Sequence, residues 1–262
     1  MRSKTSPKYR ALILDMDGVL WRDSKALVDL PQLFNEIDRR GIKVILATNN
    51  ATRSGEQYLE KLRGFGVNLK PEQVINSAQA TAQYLNNLHP LGGPVFVIGE
   101  QGLLNTLADY GFFHQDEKVV AVVVGMDRNL TYEKLRQATL LVRSGIPLIG
   151  TNPDRSFPTP EGLIPGTGSI LAALEAASDV APVVIGKPQP EMYKIALERL
   201  GAEPDKTLVV GDRLETDIAG AQALGCHTAL VLTGVTTEED ARTWIPELDM
   251  IARDVSLVIK EL

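Results

Sequence analysis

The chain has 262 residues, 44% of them hydrophobic and 23% charged, with a formal net charge of -6. That length suits a core domain plus an insertion. The acidic balance gives no general attraction to nucleic acid or anionic membrane, so a phosphate ligand has to be held by local groups.

In chain order, residues 11–14 read as a buried strand. Residues 31–40 read as a helix with Leu33, Phe34 and Ile37 on one face and Gly41 as its stop. A strand at 43–47, a helix at 54–63 and a short strand at 74–75 follow, and Ser77 is placed to cap a helix running to about residue 88. This is the rhythm of a parallel sheet covered on both faces. The stretch from His89 to Pro94 reads as a linker. Beyond it come a strand at 95–98, a helix at 101–110, a strand at 119–124, a helix at 131–143 and a strand at 147–149. A Pro/Gly-rich stretch, 152–168, and a helix at 169–177 close this smaller unit. The first rhythm then resumes with strands at 183–185, 207–210, 228–232 and near Met250, and helices at 190–200 and 215–224. The organisation expected is a core at 8–90 and 183–262, interrupted by an inserted α/β domain at 91–182.

The cysteine and histidine inventory narrows the chemistry. A single Cys226 permits no internal disulfide and no Cys-rich metal site, and it fits a reducing cytoplasm. His89, His114 and His227 are too scattered for a paired-His metal helix, and no Gly-x-Ser-x-Gly turn occurs. No segment approaches the ~20 apolar residues of a spanning helix, and the run at 11–14 is too short for a signal peptide.

Four apolar runs each end in a polar cluster: Asp15-Met-Asp17-Gly18, Thr48-Asn49-Asn50, Gly186-Lys187-Pro188 and Gly211-Asp212. Ligands of open parallel sheets bind outside the carboxyl ends of the strands, so one site is expected to collect these groups. Crowded carboxylates repel unless a cation sits among them, and an oxygen-only donor set suits a hard ion such as Mg²⁺. One carboxylate can attack phosphorus, and another two residues on can protonate the leaving alkoxide. The Lys, Thr and Asn can neutralise a transferring phosphoryl group. The bland alternatives are polar turns and helix caps. An EF-hand loop fails because Ala26 stands where its Glu should be. A dinucleotide fingerprint at Gly166-x-Gly168 fails because Leu171 stands at the third Gly.

Together with Asp217, these clusters resemble the four ordered motifs of the haloacid dehalogenase superfamily. The insertion resembles that of subfamily IIA, the NagD-like and 4-nitrophenyl phosphatase-like group with a large α/β cap of type C2a. Asn152-Pro-Asp154 and Gly166-Thr-Gly-Ser169 are similar to that group too. The resemblance implies a Rossmann-like core and a Mg²⁺-dependent phosphatase of small phosphomonoesters working through an aspartyl-phosphate. It implies Asp15 as nucleophile, and Asp17 as general acid/base with its carbonyl on the metal. Asp15 and Asp212 are implied as the other ligands, and Asp217 as holding the ligand-bearing loop. Thr48, Asn49 and Lys187 are implied to bind the phosphoryl group, and Asp154 and Phe157 to touch the substrate from the cap. Phe157 stands where pyridoxal phosphatases carry a His. Relatives in this group often dimerise through the cap. A catalytically silent protein of the same fold, or a transferase of the superfamily, is the rival reading.

Overall fold

A computed structural model describes residues 9–159 and 161–262. In chain order the elements are β1 (Ala11–Leu14), β2 (Trp21–Arg22), β3 (Lys25–Ala26), α1 (Leu30–Arg39), β4 (Lys43–Thr48), α2 (Gly55–Gly64), β5 (Val74–Asn76) and α3 (Ser77–Leu88). Next come β6 (Gly93–Ile98), α4 (Gln101–Asp109), β7 (Phe112–His114), β8 (Ala121–Val124), α5 (Tyr132–Arg143), β9 (Leu148–Gly150), β10 (Ser156–Thr159), β11 (Gly162–Pro165), α6 (Thr167–Ser178) and β12 (Val183–Val184). The chain ends with α7 (Pro190–Leu200), β13 (Thr207–Gly211), a π-helical turn Leu214–Ile218, α8 (Ala219–Ala223), β14 (His227–Val231), α9 (Glu238–Thr243), β15 (Met250–Ala252) and α10 (Val255–Glu261).

It is an α/β protein of two compact units. Among the described residues, the first comprises 9–48, Tyr58–Ile75 and Tyr193–Leu262. Its six-stranded sheet has the order β15-β14-β13-β1-β4-β5. β1 lies in the middle, parallel to β13 on one side and β4 on the other, with Leu14 level with Val210 and with Leu46. All four β1 side chains are buried, as a strand covered on both faces requires. Leu12, Leu14, Leu46, Leu208 and Val210 form the core with Leu33 and Ile37 of α1 and Val255, Val258 and Ile259 of α10. The α1 start is fixed by Asp29, whose carboxylate accepts from Gln32 N at 3.0 Å, and by Pro31 in the first turn.

The second unit comprises Asn49–Gln57 and Asn76–Met192. Its five-stranded sheet has the order β12-β9-β8-β6-β7 and is parallel at each pairing. Phe96, Ile98, Val122 and Val124 pack there with Ala138 and Val142 of α5 and Ile170, Leu171 and Leu174 of α6.

Several expected elements differ. The strand placed in the first sheet at residues 183–185 is β12, and it pairs with β9 of the second: Val183 lies level with Ile149 and Val184 with Gly150. The chain leaves β9, runs through α6 and returns beside its starting strand, as consecutive elements usually do. The second unit therefore extends past the boundary expected at residue 182. It also takes in α3, which packs against α4. That helix is capped by Asn76, not Ser77, in a reciprocal box with Gln79. The Pro/Gly-rich stretch contains the antiparallel hairpin β10–β11, with Phe157 level with Ile164. Among the described residues, no helix is long and apolar enough to cross a membrane.

Candidate active site

Asp15, Thr48 and Asp212 of the first unit sit where β1, β4 and β13 end. Because these strands are parallel neighbours, their carboxyl ends fall on one edge of the sheet. Asp15 follows β1, its N–H bonded to Val210 O at 2.9 Å, so its backbone is locked to β13. Asp212 follows β13 and is 3% exposed, while Thr48 ends β4 and is buried.

One carboxylate oxygen from each of Asp15, Asp212 and Asp217 lies within 4.8 Å of the others. Three carboxylates at that spacing repel one another, and a cation among them offsets the repulsion. Their donors are all oxygen, which fits a hard divalent cation. The surroundings hold Asp212 in place. Its Oδ2 accepts from Val235 N at 3.0 Å, and a side chain on Gly18 would stand 2.6 Å from that same oxygen. A side chain on Gly234 would stand closer to the carboxylate still. Gly18 also has φ +90°, a conformation that glycine alone adopts without strain. Thr233 Oγ1 donates to Gly18 O at 2.5 Å and ties the two turns together.

Asp217 reaches back from the π-helical turn. Its Oδ2 accepts from Asp212 N at 3.3 Å and Arg213 N at 3.2 Å, so it holds the loop that presents Asp212. Tyr193 OH donates to Asp217 O at 2.8 Å from α7. Ile218 N closes the turn on Arg213 O at 3.3 Å, one residue further than an α-turn, and Asp217 lies within it.

Asp17 is exposed and its carboxylate lies outside the three-carboxylate group. Its Oδ1 accepts from Trp21 Nε1 at 2.9 Å. Trp21, the first residue of β2, is fully buried and went unremarked in the sequence. The only available signal was its spacing of four from Asp17.

The second unit holds the remaining expected residues. Lys187 is buried beyond β12, so its position does not follow from the first sheet's strand ends. Asn49 is expected to hold the phosphoryl group. Its Nδ2 donates to Lys187 O at 2.9 Å and approaches Asp154 Oδ1 at 3.4 Å, so the amide also fastens a loop. Its main-chain carbonyl accepts from Ser77 Oγ at 2.5 Å and Asn152 Nδ2 at 2.9 Å. Asn152 Oδ1 in turn accepts from Asp154 N at 3.1 Å. Asn49, Asn152, Asp154 and Lys187 thus form one connected polar network, with Ser77 as a member the sequence did not single out as such.

Gly166 and Gly168 have a packing explanation. A side chain at Gly166 would strike Asp154 O, and one at Gly168 would strike Pro153 O. Gly168 N also donates to Asp154 O at 2.8 Å, and Ser169 Oγ donates to Arg155 O at 2.6 Å. The start of α6 therefore seats the 152–155 loop. Phe157 is half-buried on β10.

This geometry has known counterparts. The haloacid dehalogenase-like hydrolase family model matches residues 12–113, and a HAD-hydrolase-like model matches residues 184–258. The acid sugar phosphatase of Staphylococcus aureus (strain USA300) is 38% identical over 256 residues, covering 97% of this chain and 98% of the relative. Among solved structures, a p-nitrophenyl phosphatase from Archaeoglobus fulgidus superposes with a TM-score of 0.92 at 34% identity, covering 98% of this chain and all of that one. NagD from E. coli K-12 superposes at 0.88 with 30% identity, covering 95% of this chain and 98% of that one. With the Rossmann-like sheet, the inserted α/β unit and the strand-end carboxylates in place, the chain belongs to the haloacid dehalogenase-like hydrolases, within the NagD-like phosphatases of subfamily IIA.

Proposed function

We propose that this chain is a Mg²⁺-dependent phosphatase of small phosphomonoesters that works through an aspartyl-phosphate on Asp15. The observation that supports this most is the convergence of Asp15, Asp212 and Asp217 at a carboxyl edge where Gly18 and Gly234 leave room only for Asp212. Asp15 and Asp212, with the main-chain carbonyl of Asp17, are the groups proposed to hold Mg²⁺. The ion, when bound, offsets carboxylate repulsion and the negative charge of the phosphoryl group. Asp217 keeps the Asp212 loop in place.

In the first step an oxygen of Asp15 bonds to phosphorus as the bond to the ester oxygen breaks. Asp17 gives its proton to that departing oxygen. In the second step Asp17 takes a proton from water. The water oxygen attacks phosphorus and the Asp15–phosphate bond breaks, releasing inorganic phosphate. Thr48, Asn49 and Lys187 are the groups proposed to hold the phosphoryl oxygens, and the Asn49 amide also fastens the Lys187 loop. Asp154 and Phe157 are the proposed contacts to the leaving group.

The substrate class we favour is a sugar phosphate. The support is the 38% identity, over nearly the whole length, to a protein called an acid sugar phosphatase. Association as a homodimer through the second unit belongs to the same reading, and a one-chain mass in light scattering removes that part alone. Asp15→Asn should abolish release of 4-nitrophenolate from 4-nitrophenyl phosphate with Mg²⁺. Retained turnover rejects Asp15 as nucleophile and the mechanism with it.

A further inference from the structure

The indole of Trp21 is buried completely, and its Nε1–H is bonded at 2.9 Å to Oδ1 of Asp17, a carboxylate at the protein surface. A buried indole N–H needs an acceptor, but nothing requires that acceptor to be an exposed carboxylate on the nucleophile's own turn. Two neighbours pack against the indole. Phe65 stacks on it with ring centroids 5.9 Å apart and planes inclined by 24°. Lys61 Nζ stands 4.1 Å from its ring centroid while donating to Asp23 O at 2.7 Å. The backbone joins the two partners as well: Gly18 N donates to Trp21 O at 2.8 Å, and Leu20 N to Met16 O at 2.9 Å. Asp17 and Trp21 also form an isolated bridge. Donor and acceptor are therefore fixed by main chain, stacking and cation before their side chains meet.

We propose that Trp21 is a positioning residue for catalysis: its indole selects which oxygen of Asp17 handles the proton. The inference rests on the acid/base role proposed for Asp17. An indole N–H is a donor only. It can be satisfied by an oxygen that carries no proton, in either protonation state of the carboxyl group. Oδ1 is thus kept as a permanent acceptor, and the proton resides on Oδ2. In the first step that proton leaves Oδ2 for the ester oxygen as its bond to phosphorus breaks and the bond to Asp15 forms. In the second step Oδ2 takes a proton from water as the water oxygen bonds to phosphorus and the Asp15–phosphate bond breaks. Without the indole the carboxyl group can rotate and present either oxygen, and part of the population is misdirected. Lys61, lying over the ring face, draws electron density from it and makes the N–H a better donor.

The test uses leaving groups of different need. 4-Nitrophenolate leaves without a proton, whereas glycerol from glycerol phosphate leaves only with one. Trp21→Phe keeps the ring and removes the N–H. Its kcat/KM should fall about tenfold or more further on glycerol phosphate than on 4-nitrophenyl phosphate. Introduced into Asp17→Asn, the same change should cost nothing more on glycerol phosphate. Equal losses on the two substrates, or a full additional loss in the double variant, make Trp21 a packing residue and overturn the proposal. Should Trp21→Phe fail to fold, the Trp21 indole proton resonance serves instead. It should move upfield in Asp17→Ala, and an unchanged resonance overturns the proposal. Full turnover of glycerol phosphate by Asp17→Asn sinks the acid/base reading itself. An impaired Asp17→Asn with equal losses in Trp21→Phe sinks only the role of the indole.

Discussion

Gly18→Ala adds one carbon to the turn after β1, and two effects follow from where that carbon lies. Backbone at φ +90° strains any residue with a side chain, at a cost of about 1–3 kcal/mol. The new carbon also stands 2.6 Å from Asp212 Oδ2, far inside van der Waals contact. A flexible surface carboxylate would swing aside, but Asp212 is 3% exposed, receives Val235 N at 3.0 Å and has Gly234 closely behind it. Moving it breaks that charged hydrogen bond, at a cost of roughly 1.5–3 kcal/mol. The sum is about 2.5–6 kcal/mol against folding, and the displaced group is a proposed metal ligand.

Urea unfolding with and without Mg²⁺ reads both effects. At Mg²⁺ one hundred times its Kd, the wild-type chain should gain about 2.7 kcal/mol, and Gly18→Ala should gain almost none. Gly41→Ala is the control. Its φ is +66°, but nothing lies within 4 Å of an added carbon. It should show only the backbone cost, about 1–2 kcal/mol, with the Mg²⁺ increment intact. A Gly18→Ala chain with wild-type stability and a wild-type increment refutes the crowding argument.

Asp217→Ala should leave Asp212 N and Arg213 N without their acceptor, lower stability by about 1–3 kcal/mol per orphaned group, and weaken Mg²⁺ by roughly 10- to 100-fold in a calorimetric titration. Asn49→Asp should lose more kcat/KM than Asn49→Ala, because a carboxylate would face Lys187 O where the amide now donates; the reverse order rejects the loop-fastening role. Burial pushes the Cys226 thiol up to about 11, so iodoacetamide at pH 8 should label it only in the unfolded chain. The sign of its pH effect is fixed by the same shift. Between the ordinary value of 9.0 and about 11 the unfolded chain releases a proton that the folded chain keeps, so stability falls as pH rises. The loss approaches ~1.4 kcal/mol per pH unit, and Cys226→Ala should flatten it in urea titrations at successive pH values.

The elements most legible in the sequence are those whose local signal and burial agree. Residues 11–14 are apolar throughout and lie at the centre of a doubly covered sheet. Pro31 and Gly41 bracket α1 to within a residue. The run at Val183 shows where such reading stops. A two-residue strand between Pro182 and Gly186 carries no mark of which sheet it will join, and only its pairing with β9 decides. Gly166 and Gly168 are visible as glycines, yet their reason, the carbonyls of Asp154 and Pro153, lies in the chain's return path. The same limit hid Trp21, since period and composition report burial but not what a buried N–H is aimed at. Charge chemistry was more readable. Carboxylates at strand ends announce themselves by type and spacing, and the parallel sheet supplies the convergence.

The π-helical turn Leu214–Ile218 makes chain length a stricter condition than residue choice in that stretch. Excising a single residue ahead of Asp217 would shorten the i→i−5 closure to ordinary i→i−4 winding and bring the acid one place nearer to Arg213 along the chain. Its carboxylate would then have to meet the amides of Asp212 and Arg213 from a different place in the turn. Exposed positions such as Glu215 can drift in identity without consequence for this geometry, whereas a lost or gained codon changes the place of the acid itself.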